Sequence, residues 1–432
     1  MRTGLWGEAP DRWRVARLRS LIDEAVNGSW GAEPGTGEPA RCVRATDFDR
    51  VHLRVRATGG VERSYTSAEL AKNQLRPGDI LLEKSGGGEQ QPVGKGALFD
   101  LPGIWICSNF MARLRPSVGV ESAYLCFLLE ALYIAQVNTR YIKQTTGIQN
   151  LDTFGYLNET VRVPPIEEQR AIVRFLDEET AKLDRLTEMK RRLVERLPQL
   201  VQARLSELLR GRHSQRSLRQ CVERFIDYRG ATPQKSIQGV PLITAANIKA
   251  GTLNFDHEQQ FVTEDVYDEW MRRGLPRVGD VLITTEAPLG EVAQVEAIPI
   301  ALAQRLILLP AKRGIDPSFL ALYLMSSKCQ GEIRRRATGS TALGIKASHL
   351  KSVPIAVPPE ARQREIVAEI RAITEKTVRL RNQTQRAITS LVHYRSALIT
   401  AAVTGQIDVR ADRFVQPASA VSVVEEPGGG AV

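Results

Sequence analysis

Apolar residues recur at alternating steps of four and three along two stretches of the chain, and each stretch opens with a pair of prolines. After Pro164 and Pro165 the stepping lands on Ile172, Leu176, Glu179, Leu183, Leu186, Lys190, Leu193, Leu197, Leu200 and Arg204, seven of ten apolar. After Pro358 and Pro359 it lands on Ile366, Ile370, Ile373, Thr377, Leu380, Thr384, Ala387, Leu391, Tyr394, Leu398 and Ala401, nine of eleven apolar. That spacing keeps one helix face against a partner, so it predicts two long helices, residues 164–210 and 358–410, forming an antiparallel coiled coil. Proline in the first turn forfeits no hydrogen bond, Glu167 and Glu168 suit the positive end of the helix dipole, and Gly405 can cap the second helix. Pro198 is expected to kink or break the first helix near its end. Elsewhere the pattern changes to short aliphatic runs after turn residues: Asp79 to Leu82, Val240 to Thr244, Asp280 to Thr284 and Leu306 to Leu309. These read as strands. The expected class is therefore α/β (α+β): two similar mixed domains, residues 1–163 and 211–357, separated by the two long helices. The stretch 411–432, with Gly428, Gly429 and Gly430, is expected to be a disordered tail.

The two halves are copies. Arg76-Pro77-Gly78-Asp79-Ile80 returns as Arg277-Val278-Gly279-Asp280-Val281, and VPPIEEQRAIV from Val163 returns as VPPEARQREIV from Val357. YLCFLL from Tyr124 and Thr146-Gly147 find partners in FLALYL from Phe319 and Thr338-Gly339. A period of about 195 residues is far too long for a solenoid unit and suits a domain.

Composition narrows the setting. The 432 residues are 43% hydrophobic and 25% charged, enough for more than one core. No apolar run is long enough to cross a bilayer and residues 1–10 lack the apolar middle of a signal peptide, so a cytoplasmic protein is expected. The five cysteines are scattered and never spaced CxxC, which argues against a disulfide framework or a cysteine zinc site. A net charge of +10 favours polyanion partners, and the 46 arginines against 13 lysines suit bidentate contacts to phosphates and guanine edges, although a GC-rich genome produces the same bias.

Catalytic constellations are missing from the sequence. There is no GxGxxG after a strand, no HExxH and no GxSxG, the glycines around Gly86 and Lys95 are wrongly spaced for a phosphate loop, and the five histidines stand apart. Residues suited to DNA fall instead in matching places of the two copies. Before each Pro-Pro pair lies a polar turn: Lys143, Gln144, Thr145, Thr146, Gln149 and Asn150 in the first, Arg334, Arg335, Arg336, Thr338, Ser340, Thr341 and Lys346 in the second. Amides read adenine edges, while hydroxyls and cations hold phosphates. A second pair follows the Gly-Asp strands: Lys84, Ser85 and Lys95 against Thr284 and Thr285. The second copy adds Tyr228, Arg229, Thr232, Asn247 and Lys249. Each of these is equally at home in an ordinary surface loop.

Taken together, two globules that each end in a V-P-P-x-x-x-Q-R-x-I-V helix start resemble the specificity subunit of Type I restriction-modification systems. The resemblance runs from Trp13 to about Arg410 and rests on RPGDILLEKSGGGEQQPVGK from Arg76, CSNFMARLRP from Cys107, TTGIQNLD from Thr145, YRGATP from Tyr228, ITAANIKAG from Ile243, GDVLITTEAPLG from Gly279 and ALITAAVTGQID from Ala397. It implies a subunit that is non-catalytic by itself, with two target-recognition domains that each read half of a bipartite site on double-stranded DNA. The helices would set the gap: 43 residues at about 1.5 Å each reach about 65 Å, against about 34 Å per turn of B-DNA. They would also dock the methylation subunits, in two copies, which in turn recruit restriction subunits. S-adenosylmethionine, ATP and Mg would belong to those partners, with no cofactor in this chain, and the setting would be a prokaryotic, nucleoid-associated one. A stand-alone DNA-binding regulator, a coiled-coil scaffold and a fused methyltransferase or nuclease remain open as alternatives.

Overall fold

A computed structural model describes residues 5–7, 9–144, 147–228, 232–339 and 343–409. The chain forms two compact units, one of residues up to Met189 together with those from Ala387 onward, the other Lys190–Arg386. The expected tail 411–432 lies outside the described residues. No helix among the described residues is long and apolar enough to cross a membrane.

In the first unit a six-stranded sheet runs in the order Ile22–Asn27, Met111–Pro116, Ile80–Glu83, Gly96–Leu98, Arg54–Val55, Phe48–Asp49. Ile80–Glu83 is central and buried at every position, which is why it reads as a continuous aliphatic run instead of an alternating one. The repeated R-x-G-D segment in front of it is a turn. Gly78 sits at φ +96°, a value that favours glycine, and the Asp79 carboxylate accepts from Arg76 N at 2.8 Å. Gly279 at φ +91° and Asp280, accepting from Arg277 N at 2.9 Å, do the same in the second copy. Helix Ser122–Ile134 lays Tyr124, Leu125, Leu128 and Leu129 against this sheet, in one core with Ile80, Leu82 and Leu114.

The second unit is a smaller version. Its four-stranded sheet has the order Ile226–Asp227, Leu306–Leu309, Val281–Thr284, Val292–Gln294, and helix Pro317–Met325 packs on it through Phe319, Leu320, Tyr323 and Leu324. Each unit is closed in the same way. An early strand pairs antiparallel with the strand that runs into the Pro-Pro pair, Arg14–Arg17 with Thr160–Val163 and Ser214–Ser217 with Pro354–Val357.

From there the chain enters the long helices, Ile166–Leu208 and Glu360–Val403. The glutamine of the repeated motif anchors each start. Gln169 is buried, donates to Pro164 O at 3.0 Å and accepts from Glu121 N, just ahead of helix Ser122–Ile134, at 2.9 Å. Gln363 is wholly buried, donates to Pro358 O at 2.9 Å and Gly314 O at 3.1 Å, and accepts from Asp316 N, the cap of helix Pro317–Met325, at 2.8 Å. The motif is therefore a latch that fixes the direction in which each helix leaves its globule. At the far end, Gly405 caps the second helix at φ +76°, and a Cβ there would stand 2.5 Å from Pro10, so no larger residue fits.

Within each unit the two helices are antiparallel. In the first, Ile172 and Leu176 share a core with Leu398, Ile399 and Ala402, and Arg395 donates to Asp184 at 3.0 Å. In the second, Leu205 and Leu208 share a core with Ile366 and Ile370, and Arg204 donates to Glu369 at 2.6 Å. Two expectations need correction. Pro198 does not break the first helix, which continues to Leu208; the proline is exposed, where water can satisfy a carbonyl that loses its helical donor. The seam also drifts from the strict four-three stepping. Ile172, Leu176, Leu197, Ile366, Ile370 and Leu398 are buried and Leu183, Ile373 and Leu391 half-buried, but Leu186, Leu193 and Leu380 are about 40% exposed. The stripe takes a second step of four through Thr180, then runs through Leu183, Thr187, Val194 and Leu197. A helix of 3.6 residues per turn walks away from a 3.5-residue repeat by about 20° per heptad, so the buried face slips by one residue. Thr180 tolerates burial because its hydroxyl donates to Leu176 O at 2.6 Å.

Candidate nucleic-acid interface

Two segments that lie about 60 residues apart in the first copy are joined by hydrogen bonds. Ser85–Gly86 pairs with Gln149–Leu151, which pairs with Ile142–Gln144, giving a three-stranded sheet at the edge of the unit. Ser85 Oγ donates to Asn150 Oδ1 at 2.8 Å, and Leu151 N donates to Lys84 O at 2.7 Å. The outcome is one polar surface with Lys143, Gln144 and Asn150 exposed and Lys84 and Ser85 half-exposed, flanked by exposed Phe110 and Ile148. Lys143 leans on Asp152 at 3.1 Å, and Asp152 is in turn held below the usual carboxylate range, chiefly by the Gly155 N–H and then by Lys143. Thr145 and Thr146 lie outside the described residues.

The second copy repeats the joining with single bridges. Thr338 pairs with Gly344, Gly344 with Glu286, and Ile345 N donates to Thr285 O at 2.9 Å. Arg305 reaches Glu286 at 3.0 Å, which ties a third loop to the same edge. Exposed residues here are Thr232, Lys249, Thr338 and Lys346. Arg334, Arg335 and Arg336 do not belong to the turn as expected. They form the last turn of helix Ser327–Arg336, where cations suit the helix dipole, and Arg335 and Arg336 both engage Glu332. Arg334 remains exposed. Arg229, Ser340 and Thr341 lie outside the described residues.

Six of the expected contact residues turn out to be internal, and each has a structural partner. Lys95 is buried in an ion pair with Glu130 at 2.7 Å and lies over the Tyr133 ring. The buried Gln149 carbonyl accepts from Val93 N at 3.3 Å. Tyr228 stacks on Trp270 and donates to Gly274 O at 2.7 Å, and burial pushes its hydroxyl up to about 12. Asn247 is saturated: its oxygen accepts from Thr244 N and Oγ1, and its nitrogen donates to Asn254 O and His257 O. Thr284 donates to Pro288 O at 2.6 Å and closes its own loop, and Thr285 donates to Arg305 O at 3.1 Å. A buried polar group spent on the fold is not offered to a ligand. Sequence cannot separate these from the exposed set, because residue type alone does not say which way a loop side chain turns.

The structure also offers residues that the sequence reading did not select. Gln260, Gln304 and Lys235 surround a cavity of about 310 Å³ in the second unit, beside the joined loops. Nothing marks them in sequence, since lone glutamines and lysines are ordinary surface residues. No group of three or more His, Cys, Asp and Glu side chains among the described residues is arranged to hold a metal ion.

Comparison with known proteins bears on what these surfaces belong to. Residues 238–390 match the model of the Type I restriction modification DNA specificity domain. The chain is 21% identical to the Type I restriction enzyme EcoKI specificity subunit of Escherichia coli, covering 93% of this chain and 90% of that one. Among solved structures, a chain from work on complex assembly and conformational transition of the type I R-M system shares the fold with a TM-score of 0.73 at 18% identity, covering 93% of this chain and all of the other. The HsdS subunit of Thermoanaerobacter tengcongensis does so at 0.58 and 18%, covering 94% of this chain and all of that one. The duplicated globules, the latched antiparallel helices and these matches agree: residues 238–390 match a Type I restriction modification DNA specificity domain, and the chain as a whole is similar in sequence and fold to Type I specificity subunits.

Proposed function

We propose that this subunit reads DNA sequence and assembles a modification complex without catalysing a reaction itself. Each globule reads half of a bipartite site on double-stranded DNA, and the paired helices set the gap between the halves. The observation that carries this is the repeated geometry at the sheet edge. In both units the segment after the Gly-Asp strand and the segment before the Pro-Pro pair are hydrogen-bonded into one polar surface. In the first unit Lys143, Gln144, Asn150, Lys84 and Ser85 face the DNA; in the second Thr232, Lys249, Arg334, Thr338 and Lys346 do. Lysines and arginines hold phosphates, and amides and hydroxyls read base edges.

The helices also dock the methylation subunits, in two copies, and the restriction subunits join through that complex. S-adenosylmethionine serves the methylation partners, and ATP and Mg the restriction partners, in the cytoplasm of a prokaryote and on its nucleoid DNA. The test is to co-express the chain with adenine methylation subunits, purify the complex and footprint it on DNA. Two protected patches with unprotected bases between them, and binding that weakens steeply with salt, are the expected results. A single continuous footprint, or salt-insensitive binding without sequence preference, would count against the proposal.

A further inference from the structure

Among the described residues only six that are not glycine have φ between +20° and +160°, and three of them, Glu258, Ala287 and Arg305, line the 310 Å³ cavity of the second unit. Backbone held in that region is costly for residues with a Cβ, and such positions cluster where a ligand is gripped. The cavity has an apolar floor, Leu242, Ala245 and Ala303, and a polar rim. Gln260 lines both this cavity and the adjoining smaller one, and its Oε1 is shielded from solvent with no hydrogen-bond partner. A buried acceptor left open is destabilising, and beside a cavity an entering ligand can supply the donor. Gln304 and Lys235 are exposed beside it, with no partner among the described residues, and Arg305 is steadied by Glu286 at 3.0 Å.

An amide presents a donor and an acceptor in one plane, the complement of the N6 and N7 edge of adenine, and the cations stand where flanking phosphates would run. We infer that this cavity reads a purine, adenine by preference, in the second half of the target. Gln304, exposed at the rim, faces the base edge, Gln260 turns its shielded amide to join it when a base enters, and Lys235 and Arg305 hold the neighbouring phosphates. The inference rests on the reading of this chain as a DNA specificity subunit.

The experiment uses the complex with its methylation subunits and an oligonucleotide library varied at every position of both half-sites. Gln260→Met and Gln304→Ala are expected to relax selection at one purine position of the second half by roughly 10- to 100-fold, leaving the first half and the gap unchanged. Gln260→Met fills the same space without the open acceptor, so its Tm should equal or exceed that of the wild type. Lys235→Ala should weaken all sequences evenly and lower the salt slope by about one. Unchanged discrimination at every second-half position in both glutamine variants would overturn the assignment. So would a rise in Tm with adenosine monophosphate alone alongside an unchanged motif, which would give the cavity to a free nucleotide. If the wild-type complex selects no second half at all, the parent reading fails instead, and the two failures are told apart.

Discussion

Replacing Gln363 tests whether the repeated proline motif is a mechanical latch. Its side chain is wholly buried and makes three hydrogen bonds, two donated to Pro358 O and Gly314 O and one accepted from Asp316 N, all within the second unit. Gln363→Leu keeps the volume but leaves the Asp316 N–H and the buried Pro358 carbonyl without that partner, whereas water can reach the carbonyl of exposed Gly314. An unsatisfied buried group costs about 1–3 kcal/mol, more for an N–H than for a carbonyl with a second lone pair, which puts the loss over two groups at about 2–4 kcal/mol. For a unit of this size that corresponds to a fall in Tm of about 10 °C. Gln169 makes the two corresponding bonds, to Pro164 O and from Glu121 N, so Gln169→Leu should lose a similar amount, about 2–4 kcal/mol. Urea unfolding followed by far-ultraviolet circular dichroism gives both values. A loss below about 1 kcal/mol for either variant would refute the latch.

Three further outcomes follow from the same structure. Lys95→Met strands Glu130 in the core and should cost about 3–5 kcal/mol by denaturant unfolding, whereas Lys95→Met with Glu130→Leu should recover most of that; a mild single and a severe double variant would mean that Lys95 serves a surface role. All five cysteines are buried, and burial pushes Cys107, Cys126 and Cys329 up to about 12 and Cys221 up to about 11. The thiols should therefore resist iodoacetamide at pH 8 until the protein unfolds. Because the unfolded thiols ionise first, stability should decline as pH rises from about 9 towards 12; fast native labelling or a rise in stability over that window would contradict the burial. Inserting four residues near Glu188 should change the gap between half-sites and leave both halves as they were, as read by methylation mapping; altered halves with an unchanged gap would contradict the helices' role as a spacer.

Sequence resolved the large features because they rest on local physics. Two long periodic runs after Pro-Pro pairs require helices, and the R-x-G-D turns and aliphatic runs locate the central strands at Ile80–Glu83 and Val281–Thr284. The duplication then assigned both copies to one fold. What sequence did not resolve depends on tertiary direction. The seam slips by one residue at Thr180 because the helix follows its own 3.6-residue turn rather than the heptad. Lys95, Gln149, Asn247 and Thr284 have the residue types of DNA contacts, yet they face inwards, where a carboxylate or backbone groups claim them. Conversely Gln169 and Gln363 stood at the same place in both copies. Their shared position was visible as part of a motif, but the latch they form appears only when the capped ends of helices Ser122–Ile134 and Pro317–Met325 are brought beside them.

The claim that two copies of one reader act at a set distance is met most directly by mapping every methylated adenine in the genome of cells carrying this chain with adenine methylation subunits, and again after its deletion. The expected result is a motif that vanishes on deletion and consists of two short specified blocks flanking a run of unspecified bases of constant length. One uninterrupted block, or methylation unaffected by the deletion, would contradict it.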